Sequence, residues 1–304
     1  MIEGRDLLIS EPRCIAATGD KTGEGVYWER ENESVYWTDI NRFLVHRYSV
    51  RDRLLRTWFF SEPATCVLAT NRRGTLALVL GSGVILWKPE TDERLERVFD
   101  LPGWPFVRCN DAAIDPRGAL WIGTMRNNVG VDGAPGEAGG EDGVLYRLDP
   151  GGASSVWKRG VGIGNTLAWS PDRSKLYFAD SLKNSIRSFD YDQADGSIAT
   201  ERPFFEGFQR GVPDGSAIDE HGYLWNCRYG GGCVVRIAPS GEVDGVIEAP
   251  VANPTNCAFG GADGKTLYVT SAGPEPGKWE RFGGCLFIIE TSVAGIPDNR
   301  FACF

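Results

Sequence analysis

The sequence predicts an all-β fold, one six-bladed β-propeller domain spanning residues 1–304, and three observations predict it. One plan recurs six times: a short apolar run, a polar turn with Asp, Pro, Asn or Gly, then a second apolar run centred on an aromatic or small residue. Helix-period stretches are absent. The sixth repeat also lacks a fourth strand, while the N-terminus carries one strand-like run too many.

The six hairpins are "EGVYWERENESVYWTD" (24–39), "CVLATNRRGTLALVLG" (66–81), "NDAAIDPRGALWIGTM" (110–125), "NTLAWSPDRSKLYFADS" (165–181), "DGSAIDEHGYLWNCRYG" (214–230) and "NCAFGGADGKTLYVTSA" (256–272). Their runs are short, rich in Val, Ile, Leu and aromatics, and separated by tight turns, as antiparallel strands are. A third run follows each hairpin, from "LVHRYSV" to "CLFIIET", and a fourth usually follows that, as in "RLLRTWFF", "LERVFDL" and "DGVIEAP". Four strands per unit of roughly 40–55 residues is propeller spacing. The spare run "PRCIAAT" (12–18) can then complete the last blade and remove two exposed sheet edges. The opening "IEGR" looks like a protease site, so residues 1–5 stay outside the fold argument.

A formal charge of −9 disfavours nucleic acid or an anionic membrane as partner. With no run of eighteen apolar residues and no secretory pattern at the start, the expected compartment is the cytoplasm and the expected state a monomer or weak homo-oligomer. Eight cysteines without a C-x-x-C pair read as buried free thiols, and only two histidines, His46 and His221, leave little for a Ser-His-Asp triad or a His-rich zinc site.

Aligned on the turn, the residues that open the six innermost strands are Glu24, Cys66, Asn110, Asn165, Asp214 and Asn256, eleven or twelve positions before the centre of the next strand. A propeller gathers these around its axis. Five of the six carry oxygen donors, a hard-ligand set suited to Ca²⁺, Mg²⁺ or Mn²⁺, with Zn²⁺ less favoured. A polar lining for a water-filled channel is the plain alternative. Asp219 falls on the turn position of Asp115 and reads as a turn residue. Arg108, two residues before Asn110, can reach the channel mouth to bind substrate oxygens or offset negative charge, or can pair with a surface carboxylate. Trp104, Pro105 and Phe106 could form an apolar wall beside it, and Arg228 and Tyr229 are weaker contact candidates. Asn128 opens a Gly-rich stretch (127–143) that is either a surface excursion or a lid.

The stretches "GEGVYW", "RCNDAAIDPRGALWIGTM", "GIGNTLAWSPDRSKLYFADS", "VPDGSAIDEHGYLW" and "NCAFGGADGKTLYVTSA" resemble the SMP-30/gluconolactonase/regucalcin family over nearly the whole chain. The resemblance implies one divalent cation held by Glu24, Asn165 and Asp214, and substrate contacts from Arg108, Asn110 and Asn128. An amide at 128, where regucalcin-like members are acidic, is similar to bacterial sugar lactonases. The implied substrate is a sugar lactone such as glucono-, xylono- or arabinolactone, with Asp214 as general base or a metal-bound hydroxide as nucleophile. Hydrolysis of organophosphates or other esters, and metal or sugar binding without turnover, are the rival expectations.

Overall fold

The computed structural model describes residues 8–274 and 277–303, so residues 1–5 and part of the late connector "SAGPEPGKWERFGGCLF" lie outside the described residues. Among the described residues, 24 strands form six four-stranded antiparallel sheets, each in chain order outward from the axis except the last. Blades 1 to 5 run over 23–59, 64–100, 107–161, 164–206 and 212–248. Blade 6 takes its inner strands from Pro254–Gly260, Thr266–Ser271 and Leu286–Glu290, and its outer strand from Arg13–Ala16, which pairs with Leu286–Glu290. The ring therefore closes by joining the two ends of the chain, as the spare N-terminal run predicts.

The aromatic or small centre of each second strand is a packing device. Tyr36, Ala77, Trp121, Tyr177, Trp225 and Tyr268 are all at most 2 % exposed and fill the seams between blades. Two of these tryptophans are tied to the turn before them. Asp219 Oδ1 accepts the backbone N–H groups of His221 and Tyr223, both at 3.0 Å, and its Oδ2 accepts Trp225 Nε1 at 3.0 Å and Arg236 Nη2 at 2.7 Å. Asp115 repeats the pattern with Arg117, Ala119 and Trp121. Asp219 is thus a buried hairpin residue, and the Gly that follows in each turn, Gly118 or Gly222, takes the positive φ that closes it. His46 lies buried beside Asp20, and the eight cysteines are free, seven of them buried.

The inner strands carry an equivalent β-bulge in every blade, and the pairing beyond it corrects the predicted ring. Tyr27, Leu68, Ala113, Ala168, Ala217 and Ala258 occupy equivalent positions, each opposite its seam residue. Three residues before them stand Glu24, Thr65, Asn110, Asn165, Asp214 and Thr255. Cys66 and Asn256 belong one residue further along, in a following layer with Gly25, Asp111, Thr166 and Gly215. The sequence count placed every extra residue in the hairpin turn. The bulge is the same in all six, and in blades 2 and 6 it is the hairpin, from Leu68 to Ala77 and from Ala258 to Tyr268, that holds one residue more than the count allowed.

Hydroxyls stitch neighbouring inner strands together. Thr38 Oγ1 donates to Thr65 O, Thr166 Oγ1 to Asp214 O, and Thr255 Oγ1 to Gly23 O. Below them the chain ends in a plug. Ile296 N donates to Ile218 O, Asn299 Nδ2 to Ile114 O, and Phe301 bridges to Thr70, so residues 295–303 cross the lower face and close an axial chamber of about 120 Å³. Among the described residues no helix is long and apolar enough to cross a membrane.

Candidate active site

The residues that lead into the ring are held by carboxylates on the neighbouring strand. Asp39, at the end of Ser34–Asp39, accepts the N–H groups of Lys21 (3.0 Å) and Thr22 (3.2 Å), two residues before Glu24. Asp180 ends Lys175–Asp180 and does the same for Gly162 (3.0 Å) and Ile163 (3.2 Å), two residues before Asn165. In blades 1 and 4 the backbone is thus fixed before the functional side chain is presented.

Around the upper end of the channel the side chains form a continuous arc. Asn128 Oδ1 accepts Arg108 Nη2 at 3.0 Å and Nε at 3.2 Å. Arg108 Nη1 donates to Asn110 Oδ1 at 2.7 Å, and Asn110 Nδ2 donates to Asn165 Oδ1 at 2.8 Å. Asn165 Nδ2 donates to Ser181 Oγ at 2.8 Å, and Ser181 Oγ donates to the carbonyl of Pro213 at 2.6 Å, beside Asp214. The Asp214 carboxyl lies beside that of Glu24, and Glu24 Oε2 accepts Gly25 N–H at 2.9 Å and Asn256 Nδ2 at 3.0 Å. All six residues that the sequence nominates, Glu24, Arg108, Asn110, Asn128, Asn165 and Asp214, belong to this one arc.

Burial sets the electrostatics. Glu24 is pushed above the usual carboxylate range by loss of water, an effect opposed by the hydrogen bonds from Gly25 and Asn256. Asp214 is pushed well above it, first by burial and then by the charges of Glu24 and Asp111. Burial pulls Arg108 down to about 10 against the pull of Glu24 and Asp214, so it remains cationic at neutral pH. Two neighbouring carboxyls stripped of water favour a proton on one of them. A divalent cation can take that proton's place, and the nearby carbonyl oxygen of Asn165 completes a set of hard oxygen donors. The residues fit such an ion, although among the described residues no three His, Cys, Asp or Glu side chains gather in metal-holding geometry.

Other expectations meet mixed outcomes. The Asn128 stretch is folded back on itself: Gly136 N donates to Asn128 O, and Asn41 Nδ2 donates to Gly133 O at 3.0 Å, while Val129 packs on Ile40 and Phe43. It therefore reaches from blade 3 to blade 1. Phe106 is 60 % exposed with the Arg126 guanidinium over its ring, whereas Trp104 packs on Gly81. Arg228 is buried and donates to the carbonyls of Arg210 (3.0 Å) and Gly211 (2.7 Å), which shapes the approach to Asp214 and leaves no guanidinium for a ligand. Sequence reasoning missed Ser181, which orients Asn165, and Asp111, a third buried carboxyl near Glu24.

Comparison with known proteins agrees with this architecture. The SMP-30/gluconolactonase/LRE-like region matches residues 22–273. Pentonolactonase XacC of Haloferax volcanii is 31 % identical over 300 residues, covering 94 % of this chain and 96 % of that one. The 6-deoxy-6-sulfogluconolactonase of Pseudomonas putida is 32 % identical over 299 residues, with 95 % and 98 % covered. Among solved structures, a luciferin-regenerating enzyme superposes with a TM-score of 0.83 at 26 % identity, covering 95 % of this chain and 98 % of that one. With a family match across most of its length and relatives that align end to end, this chain belongs to the SMP-30/gluconolactonase/LRE-like family.

Proposed function

We propose that the protein is a divalent-cation-dependent lactonase that opens a sugar lactone to its aldonic acid. The observation that carries the reading is the arc itself: two neighbouring carboxyls beside an arginine and three carboxamides, gathered at one end of the channel with Arg108, Asn165 and Asp214 buried. Such a set suits a small, neutral, hydroxyl-rich ester. Two full-length relatives named as lactonases support the same chemistry.

When held by Glu24, Asn165 and Asp214, a Ca²⁺, Mg²⁺, Mn²⁺ or Zn²⁺ ion supplies Lewis-acid polarisation of the lactone carbonyl. Asp214 accepts the proton of the attacking water as its oxygen bonds to the carbonyl carbon. The ring C–O bond then breaks, and its oxygen takes up a proton to become a hydroxyl. Arg108 places positive charge beside the negative charge that develops, and Asn110 and Asn128 orient sugar hydroxyls while fixed to that guanidinium.

The test is a panel of glucono-, xylono- and arabinolactone, with acid release followed before and after EDTA and after each metal is restored. At least one lactone is expected to open, with the rate falling by about 10²-fold or more on chelation. No opening with any metal would defeat the lactonase reading. Full activity after complete chelation would remove the cation from it.

A further inference from the structure

Asn256 takes no part in the proposed chemistry, yet its amide is one of the most confined groups in the channel. It sits on Pro254–Gly260, the inner strand of blade 6, and is 7 % exposed. Its Oδ1 accepts the backbone N–H of Cys257 at 2.8 Å, so only its NH₂ can face the axis. That NH₂ donates to Glu24 Oε2 at 3.0 Å. The space is reserved for it, because a Cβ on Gly215 would lie 2.1 Å from Asn256 Cγ.

The consequence falls on Glu24. Its Oε2 is held by two donors, Gly25 N–H and Asn256 Nδ2, which leaves Oε1 as the oxygen those donors do not claim. A free glutamate would have to lose rotamer freedom on binding an ion. Here that loss is already incurred in the folded chain. We infer that Asn256 is a positioning residue for the cation site: its amide holds one oxygen of Glu24 and leaves the other to face the axis. The inference rests on the proposed cation dependence.

Direct titration calorimetry of Mn²⁺ and Ca²⁺ on the full chain tests it, comparing wild type, Asn256→Ala and Asn256→Thr. Threonine retains a donor and is the residue type at the equivalent place in blade 4, Thr166. Alanine is expected to weaken binding about 10–100-fold, with threonine recovering much of the loss and the melting temperature in EDTA little changed. Three results would overturn the inference. Wild type that binds neither ion removes the cation reading and this one with it. Wild type that binds while the alanine variant binds equally well removes this one alone. A melting temperature in EDTA that falls by more than about 10 °C in both variants assigns Asn256 to folding instead.

Discussion

Asp214→Asn is expected to lower lactone turnover by about 10³-fold or more while the cation-free protein stays as stable as wild type or becomes more so. The substitution keeps the shape of the side chain and removes its charge and its capacity to accept a proton. In the fold, that carboxyl is crowded by Glu24 and Asp111 and stripped of water, so its loss relieves strain of charge and leaves the backbone contacts of the strand in place. Thr166 Oγ1 and Asn226 Nδ2 bond to the Asp214 carbonyl, and Ser181 bonds to Pro213 O, whichever side chain is present. Asp219→Ala, five residues further on, should behave in the opposite way. It breaks a fully buried cluster of two backbone N–H groups, an indole N–H and a guanidinium, and is expected to cost about 3–5 kcal/mol. Steady-state turnover and urea denaturation in EDTA, run on both variants, separate the two aspartates. Turnover within tenfold of wild type in Asp214→Asn would end its assignment as the base, and an unchanged urea midpoint in Asp219→Ala would end the structural one.

The architecture was legible because the turns are written in residue types that do one thing. Asp115 and Asp219 each bind the backbone two and four positions ahead, with a glycine at positive φ between, so the hairpins can be read one by one. The closing strand was legible by subtraction, one missing and one spare. Of the six ring positions, four were placed correctly. Cys66 and Asn256 were not, since the hairpins of blades 2 and 6 each hold one residue more than the alignment allowed, beyond a bulge that every blade shares. The same local irregularity hid Asp111. Simple alternation turns it away from Asn110, whereas the structure brings it to Glu24 and to the amide of Asn256. The plug of residues 295–303 and the docking of the Asn128 stretch on Asn41 left no periodic trace, because both depend on contacts with distant blades.

Asp111→Asn is expected to stabilise the cation-free protein strongly at pH 8 and clearly less at pH 5. Burial raises the Asp111 carboxyl to about 7, from 3.8 for an ordinary aspartate, and the charge of Glu24 adds to the rise. The folded chain therefore holds this proton more tightly than the unfolded chain does. Below the unfolded value both states are protonated and the group is neutral in its effect. As pH climbs from about 4 to about 7, the unfolded chain gives up the proton freely while the folded chain must either keep it or bury a charge, so stability is lost through that window. Asparagine has no proton to give up and escapes the loss. The difference between the two proteins should widen by about 2–3 kcal/mol between pH 5 and pH 8 in EDTA, read from denaturant midpoints. Saturating divalent cation should narrow it, because positive charge on the axis favours the ionised form of every carboxyl around it. A gap that stays constant with pH, or that closes as pH rises, would show that Asp111 is ionised as easily in the channel as in water, and would remove it as the source of pH sensitivity in this ring.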